Sequence, residues 1–91
     1  MSIHHDLETH RFTLTVASGT AVLAYTPAGA DVLELYSTFV PPGDRGRGIA
    51  ARLVEAAVGY ARAEGFRLIP TCWYVARWMR EHPEHADLLS S

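Results

Sequence analysis

The sequence predicts an α+β domain in which three antiparallel strands precede a long helix, a fourth strand and a short C-terminal helix or helices. Two patterns support this prediction. Before residue 41, short apolar runs are separated by turn residues, and the first run alternates with polar residues as a half-buried strand does. From residue 49 onward, apolar residues recur every three or four positions, as on one face of a helix. The 91 residues suit a single domain that spans 1–91.

The first three strands are expected at 11–16, 21–25 and 32–40. The segments 17–20 and 27–29 separate them, because glycine, proline and serine favour turns. Connections this short join antiparallel neighbours, since a parallel crossover needs a dozen residues or more.

The long helix is expected from Ile49 to about Glu64, after Pro41, Pro42 and Gly43 have ended the third strand. Its apolar residues lie on one face, and most of its charged residues lie on the other. Gly65 is well placed as a left-handed C-terminal cap, which predicts that the helix stops there.

A short strand is expected at 66–72, and the right-handed crossover rule places it parallel to the third strand. Pro70 cannot donate to a ladder, so this strand should lie at an edge or be interrupted there. A second helix is expected over 73–81; Pro83 stops it, and 84–89 can add one more turn.

Composition excludes several classes of function. The net charge of −2 argues against sequence-independent binding to nucleic acid. No apolar run approaches the ~20 residues that cross a bilayer, and no signal peptide is visible, so we expect a cytoplasmic protein without a membrane partner. The single cysteine, Cys72, rules out an internal disulfide and fits a reducing compartment. No metal site is expected, because no Cys/His pattern has zinc spacing; four histidines are interpreted as surface loop residues: His4, His5, His82 and His85.

The segment between the third strand and the long helix has the character of an anion site, with the sequence Arg45-Gly46-Arg47-Gly48-Ile49-Ala50. The first amides of a helix lack internal partners, and the helix dipole favours negative charge there. Glycine lets the backbone approach phosphate oxygens closely, and arginine adds charge-assisted contacts.

Two other phosphate loops fit this segment less well. A P-loop requires lysine, and all eight basic residues of this chain are arginine. Residues 46–51 match the dinucleotide-binding pattern, but that fold needs a mostly parallel sheet. It also needs an acidic residue where this chain has Thr71 and Cys72.

The loop resembles the coenzyme loop of the GNAT N-acetyltransferase superfamily, Arg/Gln-x-x-Gly-x-Gly/Ala between a strand and an amphipathic helix, and 45–50 fits every position. The segment Ile69-Pro70-Thr71-Cys72-x-Tyr74-Val75, followed by His82-Pro83-Glu84, is similar to that of a small group of stand-alone GNAT-like domains. The resemblance extends from Phe12 to Leu89 and implies a minimal GNAT-like fold.

The resemblance implies a coenzyme-A-dependent N-acyltransferase. The expected reaction moves an acetyl group from acetyl-CoA to an amine of an unidentified protein, peptide or small molecule. The pantetheine arm would pair with the backbone of Thr38, Phe39 and Val40, as a strand added to a sheet edge does. The backbone of 47–50 would hold the pyrophosphate, and the thioester would lie near Cys72.

The same resemblance offers Tyr74 as the acid, because many GNAT enzymes use a tyrosine near this last helix. Cys72 could serve as the acid or as a transient acyl carrier, since a thiol is nucleophilic once ionised. Packing roles stay open for both residues, because cysteine often acts as a small buried hydrophobe.

One departure concerns Ser37, where members of the small group often carry histidine; if that histidine is a base, this chain lacks it. An acyl-CoA-binding or sensing module without turnover is therefore the alternative function. In a third hypothesis the glycines serve only a turn and the domain is an interaction partner. Both monomer and homodimer remain open.

Overall fold

The computed structural model describes residues 2–90, which form one mixed sheet covered on one face by two helices. The sheet order is β1-β2-β3-β4-β5, in which β1 to β4 are antiparallel neighbours and β5 runs parallel to β4. The strands are β1 (His4–Asp6), β2 (Arg11–Val16), β3 (Gly19–Gly29), β4 (Val32–Phe39) and β5 (Arg67–Pro70). The helices are α1 (Ile49–Glu64) and α2 (Trp73–Glu81), with 3-10 turns at Pro42–Asp44 and Pro83–Leu88. The predicted α+β class and the parallel fourth predicted strand, β5, are confirmed.

The core lies between one face of the sheet and the two helices. Alternate residues of β2, β3 and β4 point into it, together with the apolar face of α1. The largest fully buried side chains are Leu14, Leu23, Leu35, Leu53, Leu68, Val54 and Val75. Full burial of such a side chain is worth about 1.5–3 kcal/mol, so this layer contributes strongly to the stability of the fold. Within residues 2–90, neither helix is long and apolar enough to cross a membrane.

The interpretation of His5 as a surface loop residue is wrong. His5 belongs to β1, its ring stacks on Phe12 with centroids 4.0 Å apart, and its Nε2 lies 2.6 Å from the Tyr25 hydroxyl. A strand of three residues has too few positions to show a period, so its existence depends on these contacts. His82 is also packed, because its ring stacks on Trp78 at 3.8 Å.

Two strand boundaries also differ from expectation. β3 continues through the predicted break at 27–29, with an irregularity in its register with β4 between Pro27 and Gly29. Proline is tolerated at this position because β2 pairs with β3 only as far as Ala24, so one edge of β3 has no strand partner at Pro27. β5 ends at Pro70 and is shorter than the expected 66–72, because α2 begins at Trp73. β5 is an edge strand, as Pro70 predicted.

Candidate functional site

β4 and β5 separate part of the way along β4. Their parallel pairing runs from Val32 with Arg67 to Leu35 with Pro70 and stops there. The N–H of Cys72 then donates to the Leu35 carbonyl at 3.0 Å, and the chain turns away from the sheet into α2. Among the residues that the structure describes, no strand pairs with this edge of β4 beyond Leu35. A V-shaped opening results, bordered on one side by unpaired strand edge.

A bulge in β4 sets the direction of the side chains in this opening. Tyr36 is an extra residue, because its neighbours Leu35 and Ser37 pair with adjacent residues of β3. One extra residue moves every later side chain to the other face of the sheet. Thr38 therefore lies on the helix-covered face with Leu35, and its hydroxyl accepts a hydrogen bond from the Cys72 thiol at 3.6 Å.

The turn between β4 and α1 contains two glycines with left-handed backbone. The φ angles are 83° at Gly46 and 74° at Gly48, the N-terminal cap of α1. A Cβ at either position would meet no atom within 4 Å, so the backbone conformation rather than lack of space requires glycine.

The start of α1 presents donors without helical partners. The first bond within the helix runs from the Arg52 N–H to the Gly48 carbonyl, at 3.2 Å. The N–H groups of 48–51 therefore have no acceptor within α1, and no acidic residue lies in its first turn. This arrangement, with the positive end of the helix dipole, favours an anion.

These elements border one cleft of about 520 Å³. It brings together all of the predicted site residues except Arg47: Thr38, Phe39, Val40, Arg45, Gly46, Gly48, Ile49, Ala50, Cys72 and Tyr74. The side chain of Arg47 is 71% exposed and lies outside the cleft, with its Nε 3.8 Å from Asp44. Within residues 2–90, no group of three or more His, Cys, Asp or Glu side chains could hold a metal ion.

The side chain of Arg45 folds back onto the end of β4. Its Nε donates to the Val40 carbonyl at 2.9 Å, and its guanidinium carbon lies 5.9 Å from the centre of the Phe39 ring. Arg45 thereby ties the loop to the strand that precedes it.

Cys72 lies at the point where β4 and β5 diverge. It is the N-terminal cap residue of α2, it is 8% exposed, and its thiol faces Thr38. Its carbonyl accepts from the Ala76 N–H at 2.9 Å, so the first turn of α2 holds its backbone in place. The thiol is therefore held at the inner end of the cleft.

Tyr74 and two residues that the sequence analysis did not single out form the other wall. The Arg77 guanidinium lies 5.4 Å from the ring centres of both Tyr74 and Trp73, and Trp73 is 71% exposed. Burial raises the pKa of Tyr74, and the charge of Arg77 opposes that shift. The phenol therefore keeps its proton at neutral pH. The spacing of Trp73, Tyr74 and Arg77 on α2 is a signal that could have identified this cluster.

Asp44 also lines the cleft without having been predicted. It is 6% exposed, and its carboxylate accepts from the N–H and the hydroxyl of Ser18. These two bonds hold the pKa of Asp44 below its ordinary value, and Arg47 adds to the shift. Ser18 precedes Asp44 by 26 residues, so no local pattern connects the two.

Comparison with known proteins gives the family. Residues 11–88 match the family of GCN5-related N-acetyltransferases. Protein NATD1 of Bos taurus is 36% identical over 83 residues, which cover 89% of this chain and 74% of the relative. Protein NATD1 of Homo sapiens is 35% identical over the same shares of the two chains.

A solved structure supports the fold independently. The solution structure of a GCN5-like protein from Staphylococcus aureus superposes with a TM-score of 0.73 at 17% identity. The match covers 99% of this chain and 88% of that one. At this identity the likeness concerns the fold alone, and it agrees with the minimal α+β architecture described above.

Proposed function

Because the chain belongs to the family of GCN5-related N-acetyltransferases, we propose that it transfers an acyl group, acetyl above all, from coenzyme A to an amine. One observation carries the proposal: a single cleft joins an unpaired strand edge, a left-handed glycine loop at a helix N-terminus, and a buried thiol. Each part suits one part of an acyl-coenzyme A.

The unpaired edge of β4 suits the pantetheine arm. This arm is an extended chain with two amides, and an extended chain can add to a free strand edge through main-chain hydrogen bonds. In the proposal the backbone of Thr38, Phe39 and Val40 makes these bonds. The bulge at Tyr36 supports this assignment, because it aims the Thr38 side chain at the inner end of the cleft.

The glycine loop suits the pyrophosphate. Free N–H groups at the start of α1 would donate to its oxygens, and Gly46 and Gly48 leave open space where a side chain would otherwise stand. Arg45 adds positive charge at the same end of the cleft. The acyl end of the coenzyme would then lie toward Cys72, at the other end.

Two routes lead from this arrangement to an amide. In the direct route the neutral acceptor amine attacks the thioester carbonyl, the carbon–sulfur bond breaks, and Tyr74 gives its proton to the departing thiolate. The nitrogen loses one proton as the amide forms, and that proton returns to the Tyr74 phenolate through solvent. In the covalent route the Cys72 sulfur, having lost its proton, attacks the carbonyl, and coenzyme A leaves as its protonated thiol. The amine then attacks the S-acyl group on Cys72, which restores the cysteine thiol and releases the amide.

Calorimetric titration with acetyl-CoA, and separately with coenzyme A, tests binding. We expect Gly48→Glu to weaken the binding of acetyl-CoA and of coenzyme A by more than about tenfold, because it places a negative charge where the pyrophosphate would lie. Gly48→Ala is the matched control for backbone strain, and Gly59→Ala is the control for a glycine change in α1 outside the cleft. Normal binding by Gly48→Glu would refute the loop assignment.

Mass spectrometry after incubation with acetyl-CoA distinguishes the two routes. An acetyl group on Cys72 that a panel of amines removes would establish the covalent route, and Cys72→Ala would then abolish transfer. Transfer that survives in Cys72→Ala leaves the direct route. Tight binding without transfer to any amine would instead support an acyl-CoA-binding module.

A further inference from the structure

Asp44 is a buried acid that the proposed chemistry does not use. It immediately precedes the glycine loop, and its Oδ2 accepts from the Ser18 N–H at 2.9 Å and from the Ser18 hydroxyl. Ser18 belongs to the turn between β2 and β3, a segment that carries no recognisable functional motif. A carboxylate in a cleft suited to an anion is unfavourable unless its charge is used elsewhere.

The two turns that Asp44 joins also interlock sterically. A Cβ on Gly43 would lie 2.8 Å from the Ser18 Cβ, so only glycine allows this approach. On the other side, a Cβ on Gly19 would lie 3.2 Å from the Cγ of Pro41. The β2–β3 turn therefore rests directly on the segment that leads into the loop.

The second carboxylate oxygen of Asp44 faces the loop itself. Oδ1 lies 3.8 Å from the Nε of Arg47, which stands between the two left-handed glycines. One carboxylate thus connects the β2–β3 turn through Oδ2 with the middle of the loop through Oδ1. The start of the loop has an additional tie, since Arg45 bonds to Val40, and the end is held by α1.

We propose that Asp44 and Ser18 form a clamp that positions the glycine loop for the coenzyme pyrophosphate. The clamp makes the β2–β3 turn part of the binding machinery, with Asp44 and Ser18 as positioning residues that act through the loop backbone. The identity of the ligand rests on the proposed function. The order of the glycine loop in the ligand-free protein is independent of the proposed function, so measuring that order tests the clamp separately.

A simpler alternative is that Asp44 affects the ligand through its negative charge alone. Under that view, removing the charge would relieve repulsion and tighten the binding of an anion. Under the clamp, removing the charge loosens the loop and weakens binding. The two views therefore differ in the sign of the effect.

The experiment uses Ser18→Ala, Asp44→Asn and the double variant, with Asp6→Asn as the matched control. Asp6 also accepts backbone N–H groups in a turn, from Glu8 at 3.0 Å and Thr9 at 3.2 Å, but at the opposite end of β2. Nitrogen-15 relaxation of the free protein reports the order of the Gly46 and Gly48 amides. Calorimetry with coenzyme A reports the dissociation constant.

In the unsubstituted protein both glycine amides should have order parameters near ~0.85, falling below ~0.6 in either clamp variant while amides of β2 and β3 stay rigid. Coenzyme binding should weaken roughly threefold to tenfold in each single variant, and the double variant should be no weaker than the poorer single one. Asp6→Asn should change neither reading. Unchanged glycine order, or tighter binding by Asp44→Asn, would overturn the clamp. Absence of coenzyme binding by the unsubstituted protein would refute the proposed function, while the relaxation data would still decide on the clamp.

Discussion

Replacing Gly48 with alanine isolates the energy of the left-handed backbone at the start of α1. The φ angle of 74° lies in a region that costs an L-residue about 1–2 kcal/mol. The added methyl would meet no atom within 4 Å, so no clash contributes. Alanine also restricts the unfolded chain, which offsets the cost by about 0.4–1 kcal/mol. The free energy of unfolding should therefore fall by about 1 kcal/mol.

Gly59→Ala is the matched control, because Gly59 lies inside the same helix, is exposed, and its added methyl would meet no atom within 4 Å beyond the adjacent residues and the backbone of its own helix. Its backbone is helical, and alanine is favoured over glycine there by about 0.8–1 kcal/mol. This variant should therefore be more stable than the unsubstituted protein. The two glycine-to-alanine substitutions should therefore change the free energy of unfolding in opposite directions.

Urea denaturation followed by circular dichroism measures both variants, and thermal unfolding should show midpoints that move by about 4–8 °C per kcal/mol in a domain of this size. If Gly48→Ala were as stable as Gly59→Ala, the left-handed conformation at the start of α1 would be refuted. The assignment of the loop as a preformed anion site would then lose its structural basis.

Two further predictions concern titratable groups. Burial lowers the pKa of His5 below 6.5, so the unfolded chain takes up a proton more readily than the folded protein does. The contribution of neutral His5 to the free energy of unfolding should therefore be complete above pH 6.5 and decline as the pH falls below that value. Thermal midpoints between pH 8 and pH 5 test this, and a decline that persists in His5→Phe would assign it to other groups. Tyr74→Phe should lower the transfer rate by about 10²–10⁴ at unchanged coenzyme affinity, with Tyr36→Phe as control; an unchanged rate would exclude Tyr74 as the acid.

The parts of the fold that were predicted correctly have local signals. α1 begins at Ile49 and ends at Glu64 as expected, because a continuous apolar period and the glycine after it both lie within the segment. β1 gave no such signal. Its three residues pair with β2 because His5 fits against Phe12 and Tyr25, and neither contact can be inferred from neighbouring positions.

Some parts of the candidate site could likewise be predicted from the sequence, and others could not. The glycine loop and the segment around Cys72 were identified from sequence because each is contiguous and resembles a known motif. Arg47 was expected in the cleft with them, yet it does not line the cleft, and its side chain is largely exposed, with Nε 3.8 Å from Asp44. The partner of Asp44 could not be predicted, since Ser18 lies 26 residues earlier.

The sequence by itself determined the order of the strands and helices that follow β1, the helix after the glycine loop, and the candidate residues of the site. Backbone preference and side-chain period act over a few neighbouring positions and predict the strands and helices, whereas the candidate site residues were taken from contiguous segments that resemble the GNAT superfamily. Only the tertiary structure decided that the site is one cleft. The bulge at Tyr36, the divergence of β4 from β5 and the contact between Asp44 and Ser18 depend on strand register and on packing between distant segments. No local pattern records those interactions.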